Sequence, residues 1–328
     1  MIYLIYFVVA TLVVLLSIKA AYYVDLIDKT TNLSGAFIGG VLLSAVTSLP
    51  ELLTSISATM FFNNSGLALG NILGSNIFNL TTLSILILFS FSTFKKSKVS
   101  ISHKHTAVYT VIIYIIIILN MYKILDLNIL TVSCTSIFIL IIYILGVKSM
   151  INDNSEKDMA FEEIANDTVT EEECSLTLKQ IIIRFIFTSI GLVIASISIT
   201  YVTDIISGRL NMSASLVGAL LLGIATSLPE VSSSISLVRM GNFNVTVGNI
   251  VGSNLFNFLI LFVVDVLYIK GSIYNFGDKQ SKNLLFFGMI STILMIIILK
   301  SKKEKANKYI IIGSALGVVI SYIMFLSI

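Results

Sequence analysis

The sequence predicts an all-α integral membrane protein of ten transmembrane helices, built as two inverted five-helix repeats, and three observations predict it. The 328 residues are 56% hydrophobic and only 12% charged, which leaves too little polar surface for a water-soluble domain. The apolar residues gather in runs of about 20, the length of helix that crosses a hydrocarbon layer roughly 30 Å thick. Two motifs from the first half of the chain return in the second. Thr47-Ser48-Leu49-Pro50-Glu51 recurs unchanged at Thr226-Ser227-Leu228-Pro229-Glu230. Gly70-Asn71-Ile72-Leu73-Gly74-Ser75-Asn76-Ile77-Phe78-Asn79 recurs from Gly248 to Asn257 with eight of ten positions identical. The offsets are 179 and 178 residues, so the copies are collinear and the chain is a duplication.

The first repeat, residues 1–147, has apolar runs at Ile2 to Tyr23, Gly35 to Phe62, Leu67 to Phe91, Thr106 to Met121 and Ile129 to Val147. The first run lacks a basic leader and a small-residue cleavage site, so it is expected to be a transmembrane helix rather than a signal peptide. Residues 148–180 form the one long polar stretch, with Asp153, Glu156, Asp158, Glu162, Glu163, Asp167, Glu171, Glu172 and Glu173. It lacks the spaced acidic residues and glycine of a calcium-binding loop and is expected to be a solvated linker. The second repeat, residues 181–328, has runs at Ile181 to Val202, Ser215 to Val238, Val245 to Tyr268, Asn283 to Leu299 and Tyr309 to Ile328. Five spans per repeat is an odd number. The second copy therefore enters the membrane from the opposite face, and the motif helices of the two copies are expected to meet near the midplane.

Lysine and arginine set the orientation, because they accumulate on the cytoplasmic side. With the N-terminus outside, 16 of the 21 basic residues fall on the inner face and 5 on the outer. The expected topology is a multi-pass cell-membrane protein with both termini outside and the acidic linker in the cytoplasm. A net charge of +3, scattered over loops, gives no footprint for nucleic acid. Cys134 and Cys174 make neither a disulfide framework nor a zinc spacing.

The motif itself is rich in oxygen. Pro50 and Pro229 are the only prolines in the chain; each stands within an apolar run and lacks an N–H for the carbonyl four residues back. In lipid, carbonyls so released, of Val46 and Thr47 and of Ala225 and Thr226, are tolerated only where they line a polar cavity or hold an ion. Around them stand the hydroxyls of Thr47, Ser48 and Ser227, the amides of Asn79 and Asn257, and the carboxyls of Glu51 and Glu230. Thr47 and Glu51 are four apart, as are Ser75 and Asn79 and their counterparts, which places each pair on one helical face. A set of oxygens without thiolate or imidazole suits a hard cation. His103 and His105 lie in a lysine-rich segment and are expected to be solvated.

A carboxylate at the bilayer centre costs about 2.5–3.5 kcal/mol or more to insert, and no lysine or arginine lies at that depth in either half to pair with it. An ion is the expected partner of Glu51 and Glu230. Gly70, Gly74, Gly248 and Gly252 are expected to serve close helix packing. Asp25, Asp28, Asp204 and Asp265 stand towards helix ends, within reach of water, and are given no site role.

These two motifs resemble those of the cation/calcium exchanger superfamily, whose two repeats carry very similar Thr-Ser-Leu-Pro-Glu and Gly-Asn-x-x-Gly-Ser-Asn sequences. The likeness covers both repeats and leaves only the linker outside. It implies ion ligands at Thr47, Ser48, Glu51, Ser75 and Asn79, and at Thr226, Ser227, Glu230, Ser253 and Asn257. It also implies exchange of calcium for sodium by alternating access, since the serine- and asparagine-rich second motif resembles the sodium/calcium branch. Many sodium-coupled members have Asp where this chain has Asn257, so two ionisable ligands remain rather than three. The alternative is calcium/proton exchange. A cation channel is disfavoured by the inverted repeat within one chain, and an anion carrier by the absence of midplane basic residues. No enzyme is expected, because an intramembrane protease would need a Ser/His or paired-Asp arrangement inside the spans. No cofactor is called for; calcium and sodium are the expected cargo and the lipid bilayer the expected surround.

Overall fold

The structure, a computed structural model, describes residues 2–31, 43–125, 127–129, 131–151, 177–274, 277–304 and 307–327. In chain order the helices of the first half are α1 Ile2–Thr31, α2 Leu43–Thr47, α3 Leu49–Met60, α4 Ser65–Phe89, the short α5 Phe91–Lys96, α6 Ile101–Met121 and α7 Cys134–Ile151. A two-residue hairpin, β1 Asn128–Ile129 against β2 Val132–Ser133, precedes α7. The second half has α8 Leu178–Leu210, then α9 Ala214–Val217, a π-helical turn Gly218–Leu222, α10 Gly223–Thr226 and α11 Leu228–Arg239. It closes with α12 Phe243–Leu267, α13 Lys279–Glu304 and α14 Lys308–Ser327. Every apolar run of the sequence carries helix. The start of the second run, and residues 152–176 of the linker with Cys174, lie outside the described residues.

Among the described residues seven helices are long and apolar enough to cross a membrane, and an eighth span arises if the bent Ala214–Thr226 and Leu228–Arg239 pair is counted as one. The molecule is a mostly helical, multi-pass membrane protein. Its centre is α4 and α12, whose apolar windows are 72% and 67% buried, against 22% for α1 and 28% for α8. The outer pair α1 and α8 pack mainly on each other and present Leu4, Phe7, Val8, Phe187 and Ile194 outward. Without a covering layer such a surface belongs in lipid.

The two halves start their central helices by the same device. Asn63 (φ 52°) and Gly241 (φ 81°) take the left-handed conformation, and the next residue, Asn64 or Asn242, caps α4 or α12 by accepting from Leu67 N or Val245 N at 3.1 Å. Asparagine and glycine are the residues that adopt this conformation at least cost. The cap supplies one of the partners that a helix start leaves missing. Glycines set the spacing of α4 against α9 and the π turn. A methyl group on Gly70 would lie 2.1 Å from Ser215 O, and one on Gly74 2.4 Å from Ala219 Cα. Those two glycines serve close packing, as the sequence suggests.

Three expectations need correction. α6 begins at Ile101 rather than Thr106, so His103 is helical and only 4% exposed, its Nε2 3.0 Å from Asn244 Oδ1 and its ring against Gly248. The ring fits because Gly248 has no side chain; His105 is exposed as expected. Asp265 is 2% exposed rather than water-facing, and its Oδ2 accepts from Ser133 N at 2.8 Å and Ser136 Oγ at 2.7 Å. The hairpin before α7 folds over it. The side chains of Asp25 and Asp28 lie outside the described residues, whereas Asp204 is half-buried and accepts from Asn64 Nδ2 at 2.8 Å.

Candidate cation site

Both prolines sit at the start of a new helix. α2 ends at Thr47 and α3 begins at Leu49; α10 ends at Thr226 and α11 begins at Leu228, with a 45° bend between Ala214–Thr226 and Leu228–Arg239. The hinge residues Ser48 (φ −88°, ψ 10°) and Ser227 (φ −87°, ψ 0°) take the same sparsely used conformation in both copies. Proline causes the break, since it cannot donate to the preceding turn and its ring crowds the carbonyl there. Thr47 and Glu51 consequently belong to different helices. The expected shared helical face of Thr47 and Glu51 is interrupted at Ser48, where one helix gives way to the next.

Around the two breaks the halves exchange partners. Glu51 and Glu230, in the first turns of α3 and α11, are both 0% exposed. Ser227 Oγ donates to Glu51 Oε1 at 3.0 Å, and Ser48 Oγ donates to Glu230 Oε1 at 3.1 Å. Thr226 and Ser75 stand beside Glu51, Thr47 stands beside Glu230, and the two carboxyls are within electrostatic range of each other. The second oxygen of each, Oε2, is buried without a hydrogen-bond partner among the described residues. Each carboxyl also sits at a helix N-terminus, where unpaired N–H groups favour negative charge. Burial of two such groups side by side is costly unless a cation or protons complete them.

One turn further along α4 and α12 a second crossed set appears. Asn79 Nδ2 donates to Asn254 Oδ1 at 3.1 Å, and Asn257 Nδ2 donates to Asn76 Oδ1 at 3.0 Å. These bonds use the amide nitrogens and leave Asn79 Oδ1 and Asn257 Oδ1 buried and unpartnered. The structure thus joins Ser48, Glu51, Ser227 and Glu230 directly, with Thr47, Thr226 and Ser75 at their side. Ser253, 0% exposed, has an unpartnered Oγ. Sequence reasoning missed the asparagines that hold this frame. Asn71 Nδ2 lies within donating distance of Glu51 O (3.2 Å), Thr54 Oγ1 (2.9 Å) and Ser55 Oγ (2.9 Å), and Asn71 Oδ1 accepts from Thr226 Oγ1 (3.2 Å). The signal was their place in the duplicated motif, four and eight residues before Ser75 and Asn79. Open oxygens on buried carboxyls and amides, with neutral donors already spent, make a cradle for a hard cation.

Residues 2–150 and 180–328 match the family model described as sodium/calcium exchanger protein. The chain belongs to the sodium/calcium exchanger family. This exchanger is 26% identical over 267 residues to the inner membrane protein YrbG of Escherichia coli (strain K12), covering 80% of the chain and 78% of that protein. Over 90 residues it is 30% identical to the putative antiporter CaxA of Alkalimonas amylolytica, covering 27% of the chain and 28% of that protein. Among solved structures, the H+/Ca2+ exchanger CAX superposes with a TM-score of 0.72 at 11% identity, over 99% of this chain and 87% of that one. The sodium-calcium exchanger NCX_Mj, soaked with Na+ and Sr2+, superposes with a TM-score of 0.59 at 19% identity, over 100% and 99%. At these identities the structural likeness is one of fold. Membership in the family makes this exchanger a membrane antiporter of cations.

Proposed function

We propose that this exchanger is a secondary active antiporter of calcium and sodium, working by alternating access at a midplane site. Ten spans form two inverted five-helix repeats, residues 1–147 and 181–328, joined by a cytoplasmic linker. The observation that carries this reading is the pair of crossed bonds, Ser48 to Glu230 and Ser227 to Glu51, which leaves one open oxygen on each buried carboxyl. Duplicated hinges with matching backbone angles, and an odd number of helical runs per half, support the inversion.

Glu51 and Glu230 supply two negative charges, which match one calcium or are shared among sodium ions. Thr47, Ser48, Ser75 and Asn79, with Thr226, Ser227, Ser253 and Asn257, supply neutral oxygens around them. The number of these neutral oxygens favours sodium as the coupling ion. Protons alone would need few extra ligands. An emptied site would hold two uncompensated buried charges and reorient poorly, so the ions exchange rather than leak.

The test is calcium uptake into reconstituted vesicles at matched membrane potential. An outward sodium gradient is expected to drive uptake. Uptake driven by an outward proton gradient and indifferent to sodium would assign calcium/proton exchange at the same carboxyls. Orientation is tested separately by placing single cysteines in the linker after removal of Cys134 and Cys174. In whole cells they should be shielded from an impermeant thiol reagent, and labelling from outside would reverse the topology.

A further inference from the structure

Beyond the glutamate pair, a file of open oxygens runs along one face of α12. Asn249 Oδ1, Ser253 Oγ and Asn257 Oδ1 are buried, at most 1% exposed by residue, and none has a hydrogen-bond partner among the described residues. They are four residues apart, so they stack on one helical face at about 6 Å per step. Ser234 Oγ on α11 is also 0% exposed and has no hydrogen-bond partner among the described residues; its α11 neighbour Ser233 accepts from Asn249 Nδ2 at 3.2 Å, and its counterpart Ser55 accepts from Asn71 Nδ2 in the other half. Ser233 Oγ in turn donates to Glu230 O at 3.0 Å, which ties Asn249 to the turn that carries the carboxyl. Buried polar atoms without partners are rare, and a cluster of them points to an occupant.

The file leads towards one face of the molecule. α7 runs antiparallel to α12 and ends where the linker begins. Tyr143, Val147 and Met150 of α7 line a small crevice with Ser44 and with Gly252, Leu255 and Phe256 of α12. Asn249 lies beyond Gly252 in the direction of that linker face. Towards the opposite face, α4 lies directly on α9 and the π turn: a methyl group on Gly66 would stand 3.0 Å from Ala214 Cβ, and those on Gly70 and Gly74 would meet the backbone of Ser215 and Ala219. There Asn71, the counterpart of Asn249, has its oxygen occupied by Thr226.

We propose that Asn249 Oδ1, Ser253 Oγ and Ser234 Oγ form a staging site for a partly dehydrated sodium ion between the glutamate pair and the linker face. The ligands are neutral, so the site suits a monovalent cation rather than calcium, which demands carboxylate charge. Asn249 and Ser234 are thereby cation ligands outside the set already assigned. The inference rests on the antiport reading and extends its path by one station.

The experiment measures thermal stabilisation of the purified, full-length protein in detergent by sodium chloride against choline chloride at matched ionic strength, with calcium chloride as a separate arm. Asn249→Ala should raise the half-stabilising sodium concentration about ten-fold, the loss of one ligand to a charged group. Asn249→Asp, which adds a charge in the same shape, should lower it, an outcome that a purely structural asparagine would not give. Calcium that stabilises the unmodified protein, together with an unchanged sodium midpoint in both variants, would overturn the staging site and leave the antiport reading standing; the oxygens then hold water alone. If neither cation stabilises the unmodified protein, both readings fall.

Discussion

In the first copy of the duplicated motif, Ser55 Oγ and Asn71 Oδ1 accept hydrogen bonds from Asn71 and Thr226, and Ser75 Oγ donates to Gly223 O at 3.2 Å. In the second copy the matching atoms, Ser234 Oγ, Asn249 Oδ1 and Ser253 Oγ, are as deeply buried and have no hydrogen-bond partner among the described residues. Among the substitutions between the copies, one bears on the packing here. Gly223 occupies the position that Ser44 holds in the other half, and a methyl group there would stand 3.0 Å from Ser75 N. Without a side chain, α10 comes down onto α4 and Ser75 reaches the backbone. At Ser44 the hydroxyl spans the gap instead, donating to Asn249 O at 3.3 Å. Near-identical residues therefore do different work: one half is held by its own hydrogen bonds, while the other leaves its oxygens without partners among the described residues. Under alternating access the two halves would trade these roles.

The carboxyls are where the halves stay alike, since Oε2 is open on both. Glu51→Gln and Glu230→Gln are therefore expected to have the largest effects and nearly equal ones. Each removes one of two full charges facing a divalent ion, a loss on the order of a hundred-fold or more in calcium affinity. Calcium transport by reconstituted variants checks this. A variant that keeps robust transport would move the site elsewhere, and a large inequality between the two would extend the asymmetry to the charged centre.

The next contrast is one of stability. Asn71→Ala removes an amide that bridges Glu51 O, Thr54, Ser55 and Thr226, and should cost about 3 kcal/mol. Asn249→Ala removes one side-chain bond, to Ser233, and should cost about 1 kcal/mol. Thermal unfolding in detergent without sodium or calcium ranks the pair. Equal losses would show that the saturated and open networks contribute alike, contrary to the comparison above.

Much of this was legible in the sequence because the physics there is local. Pro50 and Pro229 break a helix wherever they stand within it, and an intramembrane glutamate without a basic neighbour asks for a cation. The duplicated motif marked the site's depth as well as its residues. What stayed hidden depends on pairs far apart in the chain. Nothing near Ser48 shows that its hydroxyl meets Glu230, 182 residues away, and nothing near Asn71 shows that it receives Thr226, 155 residues away. His103 was misplaced for a related reason: its lysine neighbours suggest solvent, while the space that admits the ring is made by Gly248 on another helix. Asp265 is buried by a hairpin that hydropathy cannot foresee.

The smallest expected effect is also the most discriminating, because it changes kind between the halves. Ser75 and Ser253 hold equivalent places, and both are 0% exposed. Ser75→Ala breaks the bond to Gly223 O and leaves that carbonyl to its helical partner, so it should cost about 0.5–1.5 kcal/mol of stability in cation-free detergent. Ser253→Ala removes a hydroxyl that has no protein partner, so the same measurement should show no loss, or a small gain, because an unsatisfied buried group disappears. Cation dependence should reverse the order. With Ser253→Ala the half-stabilising sodium concentration should rise several-fold, by about 1 kcal/mol of lost coordination, whereas Ser75→Ala should move it less while its oxygen is committed to Gly223. A double-mutant comparison with Asn249→Ala sharpens the point: Ser253 and Asn249 should couple in sodium dependence, and Ser75 and Asn249 should add. If Ser75 and Ser253 instead proved interchangeable in both measurements, the two halves would be averaging rapidly between equivalent states, and the open file along α12 would have no lasting preference for the linker face.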